Sequence, residues 1–103
     1  MKILIICGAG ASSTFVAHRI RRTAAERDLE VEVTAGNPSS LPGALTGIDV
    51  LLIGPHLPEL YDDIREAARA LGVGVVLLPD TIFAARDGEE ALELARAAAG
   101  ARL

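Results

Sequence analysis

Cysteine, aromatic residues and excess positive charge are all scarce in this 103-residue sequence. The one cysteine, Cys7, excludes an internal disulfide and a cysteine-based zinc cluster, and points to a reducing, cytosolic compartment. Three aromatic residues, Phe15, Tyr61 and Phe83, and a net charge of −4 argue against nucleic-acid binding, which favours a basic face and stacking rings. No stretch reaches the roughly 18 apolar residues of a membrane span. The opening MKILIICGAGA imitates a secretory signal, but its apolar run is too short for one and fits a buried first strand. The expectation is a soluble chain forming one domain over residues 1–103, long enough to bury a core without disulfides or metals.

What is present is alternation. Ile3 to Ile6 form a continuous apolar run, the signature of a strand covered on both faces. LEVEVTA, residues 29–35, alternates Leu29, Val31 and Val33 with acids and suggests an edge strand. DVLLIG (49–54) and VGVVLLP (73–79) are two further apolar strands. Helical spacing connects Val16, Ile20 and Thr23 or Ala24 between Ser13 and Asp28, and Leu60, Ile64, Ala67 and Leu71 between Pro58 and Leu71. A last helix spans about Gly88 to Ala99 with Leu92 and Ala95 inward, and residues 36–47 are loop-like with room for one helical turn. This order predicts an α/β fold: a four-stranded parallel sheet with helices on both faces, joined by right-handed crossovers. Ligands of such sheets bind beyond the carboxyl ends of the strands, where loops 7–14, 54–58 and 79–88 converge.

Cys7 ends the first of these strands. Gly8, Ala9, Gly10, Ala11, Ser12, Ser13 and Thr14 follow it and lead into a helix. Small residues let backbone N–H groups curl round an anion, and the helix N-terminus adds partial positive charge. Hydroxyls there can bind anionic oxygens or cap the helix. A thiol so placed is expected to have a lowered pKa and to suit a group that holds phosphate as a thiophosphate. A packed core cysteine is the plain alternative.

Other chemistries fit less well. A redox pair needs a second cysteine. A tyrosine-phosphatase loop needs arginine where Ser13 stands, before Thr14, and without that guanidinium the hydrolytic transition state loses its clamp. The dinucleotide fingerprint G-x-G-x-x-G fails at Ser13, and a Walker loop lacks its Gly-Lys. No metal or cofactor is called for.

The segments ILIICGAGASST, DVLLIGPHL and VVLLPDTIFAARDGEEAL resemble the enzyme IIB component of the sugar phosphotransferase system (PTS), in its lactose, cellobiose and diacetylchitobiose group. The resemblance covers nearly the whole chain. It implies a three-layer α/β/α domain shaped like a low-molecular-weight phosphatase without its arginine. It also implies a phosphocysteine at Cys7, charged by a phosphohistidine on a IIA component and discharged to a sugar in the membrane-embedded IIC component. Gly8 to Thr14 would form the phosphate loop. Relatives often carry methionine at Ala11, Ser-Thr-Ser at Ser12–Thr14, glutamine at His56 and tyrosine at Phe83. His56, Asp80 and Arg86 are accessory or partner-facing candidates, and the HRIRR run at 18–22 is a candidate basic patch. A cysteine phosphatase-like enzyme and a non-enzymatic regulatory module are the alternative readings.

Overall fold

The computed structural model describes residues 1–7, 10–83 and 87–101, with the side chains of residues 10–12, 83, 100 and 101 outside that description. The strands are β1 (Lys2–Ile6), β2 (Glu32–Gly36), β3 (Val50–Ile53) and β4 (Gly74–Leu77). The helices are α1 (Gly10–Glu26), α2 (Pro58–Ala70) and α3 (Glu89–Ala101). Among the described residues the strands form one parallel sheet in the order β2-β1-β3-β4.

Side-chain parity divides the core. Ile3, Ile5 and Cys7 on β1, with Val50 and Leu52 on β3, face α1 and α3, meeting Val16, Ile20, Ala24, Leu92 and Ala95. Leu4, Ile6, Leu51 and Ile53 point the other way, onto Ile64 and Ala68 of α2. Leu45, from the connection between β2 and β3, joins them. The expected three-layer α/β/α architecture is therefore the observed one. Each fully buried Ile or Leu in these layers contributes about 1.5–3 kcal/mol by leaving water.

Two details depart from the sequence expectation. Helix α1 begins at Gly10 rather than Ser13, because Ala11 is a good helix former and no breaker follows Gly10. In α2, Ala68 rather than Ala67 is buried, and Leu71 is exposed. Leu60, Ile64 and Ala68 recur at four-residue intervals, which turns Ala67 onto the flank. The helix also ends before Leu71: Val73 N–H donates to Ala68 O (2.9 Å), Gly72 N–H donates to Arg69 O (3.1 Å), and Gly72 takes φ +72°. That is the Schellman arrangement, which favours glycine. The apolar strand β4 lies at a sheet edge, with its residues half-buried.

The expected edge, β2, is at the other side, where the Arg21 guanidinium of α1 donates from Nε to Val33 O at 3.0 Å, with a second contact from Nη2. At the amino end of the sheet, Lys2 N–H donates to Asp49 Oδ2 and Asp49 N–H to Lys2 O, both at 2.8 Å.

Helix α3 docks on α1 through Gly88. Its N–H donates to the buried Thr23 Oγ1 at 2.9 Å, and a Cβ there would stand 2.5 Å from Ile20 Cα and 2.6 Å from Arg19 O. Arg27 Nη1 closes the outer side, 2.7 Å from both Glu89 Oε1 and Glu93 Oε1.

Two predictions follow from this joint. Gly88→Ala is expected to lower stability by about 2–3 kcal/mol, since it forces backbone apart. Gly43→Ala, with nothing within 4 Å of the added carbon, stays near wild type; urea denaturation checks both. The Arg27 hydrogen bond, reinforced by charge, holds the Glu93 carboxyl below the usual carboxylate range. A folded-state pKa below the unfolded one makes the contribution present at neutral pH. It is lost as pH falls from about 4.3 through the depressed value. Glu93→Gln should thus be less stable than wild type at pH 7, with the gap closing in acid and narrowing near 1 M salt, where charges are screened within about 3 Å.

Candidate functional site

The strand order reverses between β1 and β3: the chain steps from β1 outward to β2, then returns across to β3 and β4. Open parallel sheets bind ligands at this switch point, beyond the carboxyl ends of the two strands. Cys7 follows β1 there, and Gly54 follows β3. Continuing the register of Ile5 with Leu52 and Ile6 with Ile53 by one step sets Cys7 beside Gly54. Gly54 N–H donates to Ile6 O at 2.7 Å, the last rung between the two strands.

Cys7 is 3% exposed and belongs to the apolar cluster facing α1 and α3. Burial pushes its thiol above the ordinary value. This corrects the expected lowered pKa: removing sulfur from water disfavours the thiolate. Ser13 is 1% exposed and Thr14 is exposed, and both lie within the first turns of α1 rather than in a loop. Residues 10–14 of the expected Gly8–Thr14 loop therefore belong to the helix. Gly8, Ala9 and Arg86 lie outside the described residues, as do the side chains of Gly10, Ala11, Ser12 and Phe83.

The remaining candidates are at the same end of the sheet. His56 is exposed in the turn after β3 and lines a cleft of about 440 Å³ with Leu57, Pro58, Glu59, Asp63 and Pro38. Cys7 is not among the lining residues of that cleft. Asp80 is exposed and opens the 3-10 turn Asp80–Phe83 after β4. The HRIRR run is not one continuous free patch. Arg19 stacks 4.3 Å above the ring of Phe15, Arg21 holds Val33 O, and Arg22 is 3.8 Å from Glu26. Phe15 itself is 60% exposed, one residue past Thr14.

The residue that sequence reasoning missed is Gly54. A Cβ at this position would lie 3.1 Å from Cys7 Sγ, 3.2 Å from its Cα and 3.3 Å from its Cβ. The Gly-Pro pair was a visible signal, but a glycine in a sequence does not name its neighbour.

A sequence model of the family described as "PTS system, Lactose/Cellobiose specific IIB subunit" matches residues 2–94. The chain belongs to the PTS IIB family. Its class is accordingly that of a phosphotransferase subunit. It is 27% identical over 92 residues to the PTS system lactose-specific EIICB component of Lactococcus lactis subsp. lactis, covering 87% of this chain and 16% of that protein. The corresponding protein of Staphylococcus epidermidis is 24% identical over 96 residues, covering 91% of this chain and 16% of the relative. The chain thus spans about one sixth of the length of these curated relatives.

Two solved structures share the fold. The lactose-specific IIB domain from Streptococcus pneumoniae superposes with a TM-score of 0.78 at 18% identity, over 95% of this chain and 96% of that one. The cellobiose-specific IIB protein from Borrelia burgdorferi gives 0.79 at 24% identity, over 99% and 94%. Among the described residues of this IIB chain, no helix is long and apolar enough to cross a membrane, and no cluster of three or more His, Cys, Asp or Glu could hold a metal.

The buried thiol gives a direct test. Native Cys7 should react with iodoacetamide at pH 7 at least about tenfold more slowly than in the urea-unfolded chain, with a pH midpoint above that of the unfolded chain. Equal rates in the two states would contradict a thiol raised by burial. Slow alkylation at neutral pH is therefore expected of this IIB chain whether its cysteine is a carrier or inert.

Proposed function

We propose that this chain is a cytoplasmic phosphocarrier in which Cys7 accepts a phosphoryl group from a phosphohistidine of a IIA component. It then passes the group to a sugar bound by a membrane IIC component. The observation that carries the reading is the position of Cys7, at the carboxyl end of β1 and at the strand-order reversal, just ahead of α1. Family membership supports it. The names of the relatives favour a β-linked disaccharide such as lactose or cellobiose as the final acceptor, and chitobiose is a third candidate of the same class.

In the accepting step sulfur attacks phosphorus in line, forming S–P as the N–P bond of the donor breaks. Its proton leaves with the departing imidazole. A thiol kept neutral by burial suits this exchange, because the leaving nitrogen needs the proton the sulfur must lose. In the second step a sugar hydroxyl forms O–P, the S–P bond breaks, and a proton returns to sulfur. The protein's share is positioning and stabilisation of the phosphoryl oxygens. Backbone N–H groups of Gly8 to Ser12 and the first turn of α1 are the proposed donors, with the hydroxyls of Ser12, Ser13 and Thr14 as supplements. His56, Asp80 and Arg86 are proposed for the partner-facing rim.

Incubation with phosphoenolpyruvate, the general phosphotransferase proteins and a IIA of the lactose/cellobiose class should add one phosphoryl group by intact mass, and Cys7→Ser should add none. An adduct that persists in Cys7→Ser overturns the assignment. The phosphatase-like alternative predicts Cys7-dependent turnover of nitrophenyl phosphate. Essentially none is expected, because Ser13 supplies no guanidinium.

A further inference from the structure

Glycine at position 54 is not required by backbone conformation. Its φ is not among the positive values, which among the described glycines fall at Gly47 and Gly72. What it supplies is space. Neighbouring strands run about 4.7–4.9 Å apart, yet a Cβ at Gly54 would come within 3.1 Å of Cys7 Sγ and 3.3 Å of Cys7 Cβ. A side chain at position 54 would therefore crowd the cysteine, and the bare Gly54 backbone forms the wall of the space beside the sulfur. The 2.7 Å bond from Gly54 N–H to Ile6 O fixes that wall to the residue before the cysteine. Pro55 stiffens it further, because a residue before proline is held to extended backbone.

We infer that Gly54 is a positioning residue for Cys7, setting the place and the solvent access of the sulfur by leaving open the space beside Sγ. The inference deepens the phosphocarrier reading and rests on it for the transfer step, although the crowding an added side chain would cause at sulfur stands apart from that reading. A methyl group at Gly54 would displace its neighbours, the sulfur among them, by a few tenths of an ångström and remove space beside it. Small misplacements of a reacting atom cost about 10- to 100-fold in rate.

The test compares wild type, Gly54→Ala and Gly36→Ala. The last is a crowding control, whose added carbon would meet Leu4 Cδ1 at 3.1 Å, on the opposite side of the sheet from Cys7. Iodoacetamide alkylation of Cys7 is followed across pH, and phosphoryl transfer from phospho-IIA is followed at varied IIA concentration. Gly54→Ala should shift the alkylation midpoint upward and slow saturated transfer by about 10- to 100-fold. Half-saturating IIA should be unchanged, and Gly36→Ala should match wild type in both assays. A Gly54→Ala protein with the wild-type alkylation profile, or one no different from Gly36→Ala, overturns the inference. If wild type takes up no phosphoryl group, the carrier reading fails while the alkylation arm still decides the role of Gly54. If Gly54→Ala folds poorly, the Gly54→Ala/Cys7→Ala pair decides. Removing the sulfur recovers part of the lost melting temperature if the crowding is at the thiol, and its failure to do so counts against the inference.

Discussion

The hydrogen bond from Gly54 N–H to Ile6 O, the last rung between β1 and β3, is the constraint from which the site follows. Parallel pairing fixes which residues stand side by side, and a slip of one residue would exchange the two faces of a strand. With Ile6 opposite Ile53, Cys7 turns to the face of α1 and α3, and a residue without a side chain stands next to it. Both strands are covered on both faces, so the register is held by the burial of Ile3 to Ile6 and Val50 to Ile53. The chemistry at the strand ends is thus specified by apolar residues that take no part in it.

Helix α1 carries that specification along its length. Its first turns lie beside the cysteine, its middle buries Val16, Ile20 and Ala24, and its far end is held by Thr23 and Arg27 against the start of α3. The close seat of Gly88 on the backbone of Arg19 and Ile20 brings the two helices nearer than side chains would allow. Glycines thus act at two joints for one reason, close approach: Gly88 between helices and Gly54 between strand ends.

Much of this was legible in the sequence because it rests on periodicity. The apolar runs of β1 and β3, the spacing of Val16, Ile20 and Ala24, and the alternation in β2 gave the layers, the parallel sheet and the edge position of β2. The edge position of β4 was not legible, since α2 and α3 both pack on it and its composition matches a central strand. Nor was the burial of Ala68 over Ala67, which depends on where the stripe of α2 meets the sheet. The thiol shows the limit most clearly. A helix N-terminus lowers a cysteine pKa and burial raises it; residue types reveal that both effects are present, while only the packing of Cys7 among apolar neighbours decides their balance. The space at Gly54 was invisible for the same reason, being a property of two strands rather than one.

The Arg21 guanidinium on the Val33 carbonyl has a consequence at the outer boundary of the sheet. An edge strand normally offers its free carbonyls as a template on which another strand can grow. Here one such acceptor in β2 is already taken by a cation anchored on α1, and any strand seeking to extend the sheet past that point would first have to displace it. The same helix that stands behind the cysteine therefore also sets where the sheet stops.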